Sequence, residues 1–371
     1  MHHNQAQARC HAEIDLPAIG RNALRAQTLV PDALVIPVLK GNAYGLGTDM
    51  VGKTLFEMGM RFFAVATVAE GLALLQCAPA DVLVMGAAGE PLYEAAISAG
   101  LILTVYSLDQ AHALNDTANR LSMKARAHFK VDTGLHRLGF EPGTAAEQIT
   151  QCTMLSNLDS LGLFTHLGLH NERMDAVQIA RFNAVRESLK ARGITLFTHA
   201  LDSIGMVRYP QWHMDAVRVG AWLYGVSPCG SVERPEPVVT IRARIAQIRM
   251  VSAGELIGYN DDIPLKRKTR IATLSCGYAD GIPRLSGRGD VIVDNRRCPV
   301  LGPVCMDQMM VDITDCPNAR EGGTATLLGD GITIEEYAQS AGFNRNEALA
   351  RLSSRMERIY RTDDSASPAT E

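Results

Sequence analysis

The sequence predicts an α/β chain, a (β/α)8 TIM-type barrel followed by a mostly β domain. Three observations carry this. The first 225 residues alternate eight apolar runs with stretches in which apolar residues recur three and four apart. Each run is nearly continuous in Val, Ile, Leu or Phe, as strands buried on both faces must be. After Gly225 the rhythm changes to short β-rich pieces divided by Gly, Pro and Asp turns. A doubly wound open sheet is the competing arrangement, but its usual GxGxxG after the first strand is missing.

In chain order, the predicted barrel strands are Ala33–Leu39, Phe62–Thr67, Asp81–Gly86, Leu101–Ser107, Ala127–Asp132, Leu161–His166, Thr195–His199 and Val217–Tyr224. Helical patterns between them include GKTLFEMGM, AEGLALLQCA, PLYEAAISAG, LDQAHALNDTANR and AVQIARFNAVRESLKARG. SPCGSVERPEP at Ser227–Pro237, dense in Pro, Ser and charge, reads as a linker. The pieces VVTIRARIAQI, TRIATLSCG, DVIVDN, CPVLG, MMVDIT and GTATLLG then outline the β domain. TIEEYAQSAG and NEALARLSSRMERIY predict two short helices, and the tail RTDDSASPATE is expected to fray. The domains are therefore placed at residues 12–230 and 231–371, with the N-terminal segment 1–14 free to pack with the second.

Composition narrows the partners. A chain of 371 residues that is 47% hydrophobic can fill a sizeable core. A net charge of −4 provides no field to concentrate nucleic acid, and 5% aromatic residues supply few stacking platforms. Small soluble partners are favoured. MHHNQAQARC lacks the features of a secretory signal, and no run reaches the ~18 apolar residues of a membrane span. The eight cysteines include no CxxC pair, so a reducing cytoplasm is the simpler setting, and no metal is expected.

Polar groups then stand at strand ends where a core does not need them. Lys40 follows the first strand and opens a loop containing Gly41, Asn42, Tyr44, Gly45 and Gly47. Its bland alternative is a lysine snorkelling past a strand end. Lys130 ends the fifth strand, with Arg137 seven residues on. His166 ends the sixth, His199 the seventh in FTHALDS, and Arg218 and Gly220 lie in the eighth. In a βα barrel such groups converge on the C-terminal rim. Burying two lysines and two arginines without a charged partner would be very costly. Ser203, Gly205 and the glycines after strand eight can offer a hydroxyl and backbone N–H groups to phosphate. Arg218 can donate to a ring nitrogen, and Lys40 can condense with an aldehyde. Together these describe pyridoxal 5'-phosphate, although a phosphosugar aldolase would also use a strand-end lysine and a phosphate pocket.

LKGNAYGLG at Leu39–Gly47, KVDTGLHRLG at Lys130–Gly139, THL at Thr165–Leu167, RVGAWLYG at Arg218–Gly225, GYADGIPR at Gly277–Arg284 and CMDQMMVDIT at Cys305–Thr314 resemble the motifs of the PLP-dependent alanine racemases of bacteria. The resemblance runs from about Glu13 to Tyr360. It implies a PLP-binding barrel, a C-terminal β domain and a head-to-tail homodimer whose active sites combine both subunits. By resemblance, Lys40 carries the cofactor and is one base, serving the D proton of alanine. Tyr278, from the partner's β domain, is the other and serves the L proton. Tyr44, His166, Ser203, Arg218, Gly220 and Tyr360 match cofactor-contacting positions. Arg137, Met306 and Asp307 match positions at the substrate, and Lys130 matches a lysine often carbamylated. Arg218, a guanidinium, should leave the cofactor's ring nitrogen unprotonated. Leu46, His136, Asp202 and Pro303 depart from the pattern, standing where histidine, a small residue, asparagine and arginine are common. They leave open a racemase for serine or a broader range of amino acids, or a non-catalytic PLP-binding homologue; a decarboxylase is disfavoured by the GYADG match.

Overall fold

The structure is a computed structural model and describes residues 8–227, 233–259, 263–285 and 287–362. Part of the expected linker and nearly all of the expected frayed tail lie outside the described residues. The chain divides into two compact units, one of Ile19–Ala43 and Thr48–Glu236, the other of Met1–Ala18, Tyr44–Gly47 and Pro237–Glu371.

Strand β1, Cys10–Asp15, belongs to the second unit. The first unit is the (β/α) barrel. Its strands are β2 (Leu34–Pro37), β3 (Phe62–Val65), β4 (Asp81–Val84), β5 (Ile102–Val105), β6 (Ala125–Lys130), β7 (Leu158–Phe164), β8 (Phe197–His199) and β9 (Ala216–Val219). They pair in parallel in the order β2-β9-β8-β7-β6-β5-β4-β3. A bridge between Val38 and Ala64, with Leu39 N–H donating to the Ala64 carbonyl at 2.9 Å, closes the ring between β2 and β3. All eight predicted strands are present. Their burial on both faces explains the unbroken apolar runs. Helices Thr48–Glu57, Val68–Leu75, Tyr93–Ser98, Leu108–Arg120 and Glu172–Lys190 occupy the predicted helical stretches, and Pro142–Thr153 adds one that the quoted patterns omit. The core includes Phe63, Phe129, Phe182 and Trp222, whose Nε1 donates to the Asn22 carbonyl.

The second unit is mostly β. Its strands are β1, then β10 (Val239–Val251), β11 (Thr269–Leu274), β12 (Asp290–Val293), β13 (Arg296–Leu301), β14 (Met309–Asp312), β15 (Thr324–Leu328) and β16 (Glu357–Arg361). Strand β10 pairs with β1, β15 and β11, shifting register at Ile245/Gln247. A bulge of this kind lets one long strand bend round a curled sheet. One expectation is corrected. The helical spacing of NEALARLSSRMERIY gives a helix only over Arg345–Ala350, and ERIYR forms β16, parallel to β1 with Ile14 opposite Tyr360. The free edge of β1, unseen in local spacing, decides the conformation of that segment.

Candidate active site

The parallel strands of the barrel bring their polar ends to one rim. Val38 and Leu39 continue β2 as buried wall, and Lys40 is the first residue to emerge. The expected loop behind it is a left-handed turn, with φ of 63°, 56°, 51° and 55° at Gly41, Asn42, Ala43 and Tyr44. For non-glycine residues this costs roughly 1–2 kcal/mol each, so the surroundings must hold it. They do so through hydrogen bonds: Gly41 N–H donates to Glu70 Oε1 at 2.7 Å, Thr48 N–H to Asn42 Oδ1 at 3.0 Å, and Ala43 N–H to the Leu39 carbonyl at 2.9 Å. Glu70 Oε2 also accepts from Ala66 and Thr67, tying the turn to the end of β3. Sequence reading missed Glu70, although Thr67-x-x-Glu70 is a legible capping box, and the box is formed.

Arg218 lies on β9, beside β2, with 2% exposure. Its NH1 contacts His199 Nδ1 at 2.6 Å, and its NH2 donates to the carbonyls of Thr165 and Ala200 and approaches His166 Nδ1 at 3.2 Å. A guanidinium can only donate, so His199 Nδ1 must accept, whereas the two NH2 protons go to the two carbonyls. The remaining His199 proton therefore sits on Nε2 and points at His128 Nδ1, 3.0 Å away. Burial, reinforced by Arg218, keeps His199 and His166 neutral far below the usual histidine range, and burial takes His128 down to about 3. The same burial lowers Arg218 to about 10, still protonated at neutral pH.

The two lysines sit in this cationic field. Burial, then Arg137 and Arg218, lowers the pKa of Lys40, opposed by Asp202 and Glu70. Lys130, with 4% exposure, is lowered to about 8 by burial, Arg137 and Arg218. Arg137 itself is exposed, on a loop whose four N–H groups from Gly134 to Arg137 all donate to the Asp132 carboxylate. On β8's end, Ser203 Oγ accepts from both Gly220 N–H at 3.0 Å and Trp222 N–H at 3.2 Å. With both lone pairs engaged, the Ser203 hydroxyl proton is directed elsewhere and can serve a phosphate oxygen. Asp202 turns its Oδ1 to the N–H groups of Ile204 and Gly205, capping helix Ser203–Arg208. His136 is exposed with φ 57°.

The second unit carries the other predicted residues: Tyr44, Tyr278, Met306, Asp307 and Tyr360. Tyr278 is 45% exposed on the 3-10 turn Tyr278–Asp280, and Met306 is 52% exposed. Asp280 Oδ2 accepts from Gly277 N–H at 2.8 Å, and Gly281 leaves the turn at φ 95°, where a Cβ would lie 2.4 Å from the Arg351 carbonyl. Tyr278 N–H donates to the Cys305 carbonyl and Ala279 N–H to that of Met306, both at 3.0 Å. Tyr360 on β16 donates its phenol to the Leu46 carbonyl at 3.0 Å. Leu46 and Pro303, two of the departures, are buried and present no charge. Among the described residues no cluster of three or more His, Cys, Asp or Glu could hold a metal ion, and no helix is long and apolar enough to cross a membrane.

Comparison with known proteins is consistent along the chain. Residues 14–228 match the family described as alanine racemase, N-terminal domain, and residues 238–360 match alanine racemase, C-terminal domain. An alanine racemase of Carboxydothermus hydrogenoformans is 36% identical, covering 94% of this chain and 98% of its own length. The solved alanine racemase of Clostridium difficile 630 superposes with a TM-score of 0.92 at 30% identity, covering 96% of each chain. That of Bartonella henselae, solved with covalently bound pyridoxal phosphate, gives 0.88 at 29% identity, covering 95% of this chain and 99% of its own.

Proposed function

The chain belongs to the alanine racemase family, and from that premise we propose that it interconverts L- and D-alanine with pyridoxal 5'-phosphate, Lys40 serving one face of the substrate Cα and the partner's Tyr278 the other. The observation that carries this is the donor set on three neighbouring strands, Lys40 after β2, Arg218 on β9 and Ser203 after β8. An amine, a guanidinium and a hydroxyl there suit the cofactor's aldehyde, ring nitrogen and phosphate. When bound, the cofactor withdraws electron density from Cα and makes its proton abstractable. Lys40 holds the cofactor and then, as an amine with lowered pKa, takes or returns the D-side proton. Arg218, pinned by His199 and two carbonyls, donates to the ring nitrogen without surrendering a proton to it. His166 and Gly220 complete the barrel's cofactor contacts, and Tyr44 and Tyr360 are assigned to the cofactor by the resemblance alone. Arg137, Met306 and Asp307 serve the substrate. The exposure of Tyr278 and Met306 supports delivery of the β domain to a second copy, a homodimer with shared sites.

Lys130 has a further part in this reading. An ordinary lysine of pKa ~10.4 is almost wholly charged at pH 7, whereas one near 8 is about one-tenth neutral. The neutral amine adds to CO2, forming an N–C bond and releasing a proton, and the resulting carbamate is an anion among the cations Lys40, Arg137 and Arg218. Borohydride reduction of the loaded protein followed by peptide mass spectrometry should place the pyridoxyl group on the Lys40 peptide. An adduct on Lys130 instead, or none, contradicts the proposal. Bicarbonate labelled with 13C should give a carbamate carbon signal that vanishes in K130A.

A further inference from the structure

The β domain holds a charged cluster in which Arg9, Asp280 and Arg355 have no part assigned by the reaction. The Asp280 side chain has 0% exposure, and its Oδ1 meets Arg9 NH1 at 2.6 Å and Arg355 Nε at 3.4 Å. Arg9 is a forked contact: its NH2 donates to the Asp307 carbonyl at 2.8 Å. Arg355 NH2 reaches the Asp307 carboxylate at 2.7 Å. Arg9 therefore bridges two short segments, the turn bearing Tyr278 and the stretch bearing Met306 and Asp307. These segments are already in close backbone contact. A Cβ on Gly277 would lie 2.3 Å from the Cys305 carbonyl, so the Tyr278 turn sits directly on its neighbour. The base of Arg9 is fixed in turn, because Arg244 N–H donates to its carbonyl at 3.0 Å and β1 begins at the next residue.

We propose that Arg9 is a positioning residue for Tyr278: its guanidinium fork locks the Tyr278–Asp280 turn against the Cys305–Asp307 segment and so sets the approach of the phenol to the substrate Cα. This rests on the reading of Tyr278 as the L-side base. A solvated surface ion pair would contribute little, but here one partner is wholly buried, and its charge is compensated mainly by Arg9. Arg355 Nε lies 3.4 Å from the same oxygen, so one cation still faces the buried carboxylate when Arg9 is removed, and the expected effect is a loosened turn. Misplacing a reacting group by a fraction of an ångström slows the step it performs and spares the step performed from the opposite face.

The test compares wild type, R9A and Y278F as full-length, cofactor-loaded proteins given D-alanine in D2O. Deuteration at Cα with retention reports Lys40 alone, and inversion to L-alanine reports both bases. In Y278F the ratio of retained exchange to inversion should rise steeply. In R9A it should rise about tenfold, with exchange itself near the wild-type rate. Backbone hydrogen exchange of the cofactor-free protein should speed up at Tyr278 and Ala279 in R9A. A parallel fall of exchange and inversion in R9A, at constant ratio, is what a merely structural role gives and overturns the proposal. If Y278F leaves the ratio unchanged, the assignment of Tyr278 as a base fails first. Should R9A not fold, R9Q decides on the same ratio, a rise supporting the role of Arg9 and an unchanged ratio refuting it.

Discussion

The barrel rim and the Tyr278 turn solve one problem by opposite means. At the rim, Arg218, Lys130 and His199 are buried, and cations face cations, so chemistry is set by depressed pKa values. At the turn, Tyr278 stands half in water, and what is buried is the carboxylate of Asp280, two residues on, that holds the backbone. In the proposed two-base reading, burial tunes Lys40, whereas backbone bonds and ion pairs aim Tyr278. The two regions should therefore respond differently to mutation and to pH.

The largest difference expected is between removal of the two bases. Because alanine enantiomers have equal free energy in water, kcat/KM in the two directions must stay equal in any variant, and racemisation rates alone cannot separate the bases. Proton exchange can. K40A should lose racemisation and Cα exchange from both enantiomers, by at least about a thousandfold. Y278F should lose racemisation similarly yet still exchange the Cα proton of D-alanine with retention. Equal loss of D-alanine exchange in both variants, measured by NMR in D2O, would erase the distinction.

A smaller effect is expected where the rim depends on held backbone. Glu70 accepts three backbone N–H groups, and a glutamine can replace only part of that. E70Q should cost ~2 kcal/mol of stability and lower kcat about tenfold through a relaxed left-handed turn, with the pKa assigned to Lys40 in the pH profile moving down as a nearby anion is lost. An unchanged pH profile with reduced stability would make Glu70 a helix cap only.

A gentler probe is stability against pH in the cofactor-free, CO2-free protein. The folded pKa of Lys130 lies below its unfolded value, so the unfolded chain binds more protons between about 8 and ~10.4. Stability contributed by this group is therefore present above the unfolded pKa and is lost as pH falls through the folded one. K130Q should flatten that rise, by at most about 3 kcal/mol, in denaturant titrations across the window. An unchanged rise in K130Q would break the contrast.

The eight barrel strands and the positions of Lys40, Lys130 and Arg218 were legible because burial on both faces writes an unbroken apolar run and a strand-end cation interrupts it. The left-handed turn was not, since Ala43 and Tyr44 carry no mark of positive φ and Asn42 alone favours it among the non-glycine residues there. Nor was the conversion of ERIYR to a strand, which depends on β1 at the other end of the chain. Arg9 was silent for the same reason: its partner Asp280 is 271 residues away, and a lone arginine announces no partner. Local spacing records what is buried, and the supports of the exposed half-site are long-range pairs.

The central claim is that Lys40 of one copy works with the partner's Tyr278, and subunit complementation tests it most directly. Inactive K40A and inactive Y278F proteins are mixed in equal amounts under conditions of demonstrated subunit exchange. In a mixed dimer with shared sites one site regains both bases and the other lacks both, so random pairing should restore about a quarter of wild-type racemase activity. Full subunit exchange with no recovered activity would contradict the shared-site account.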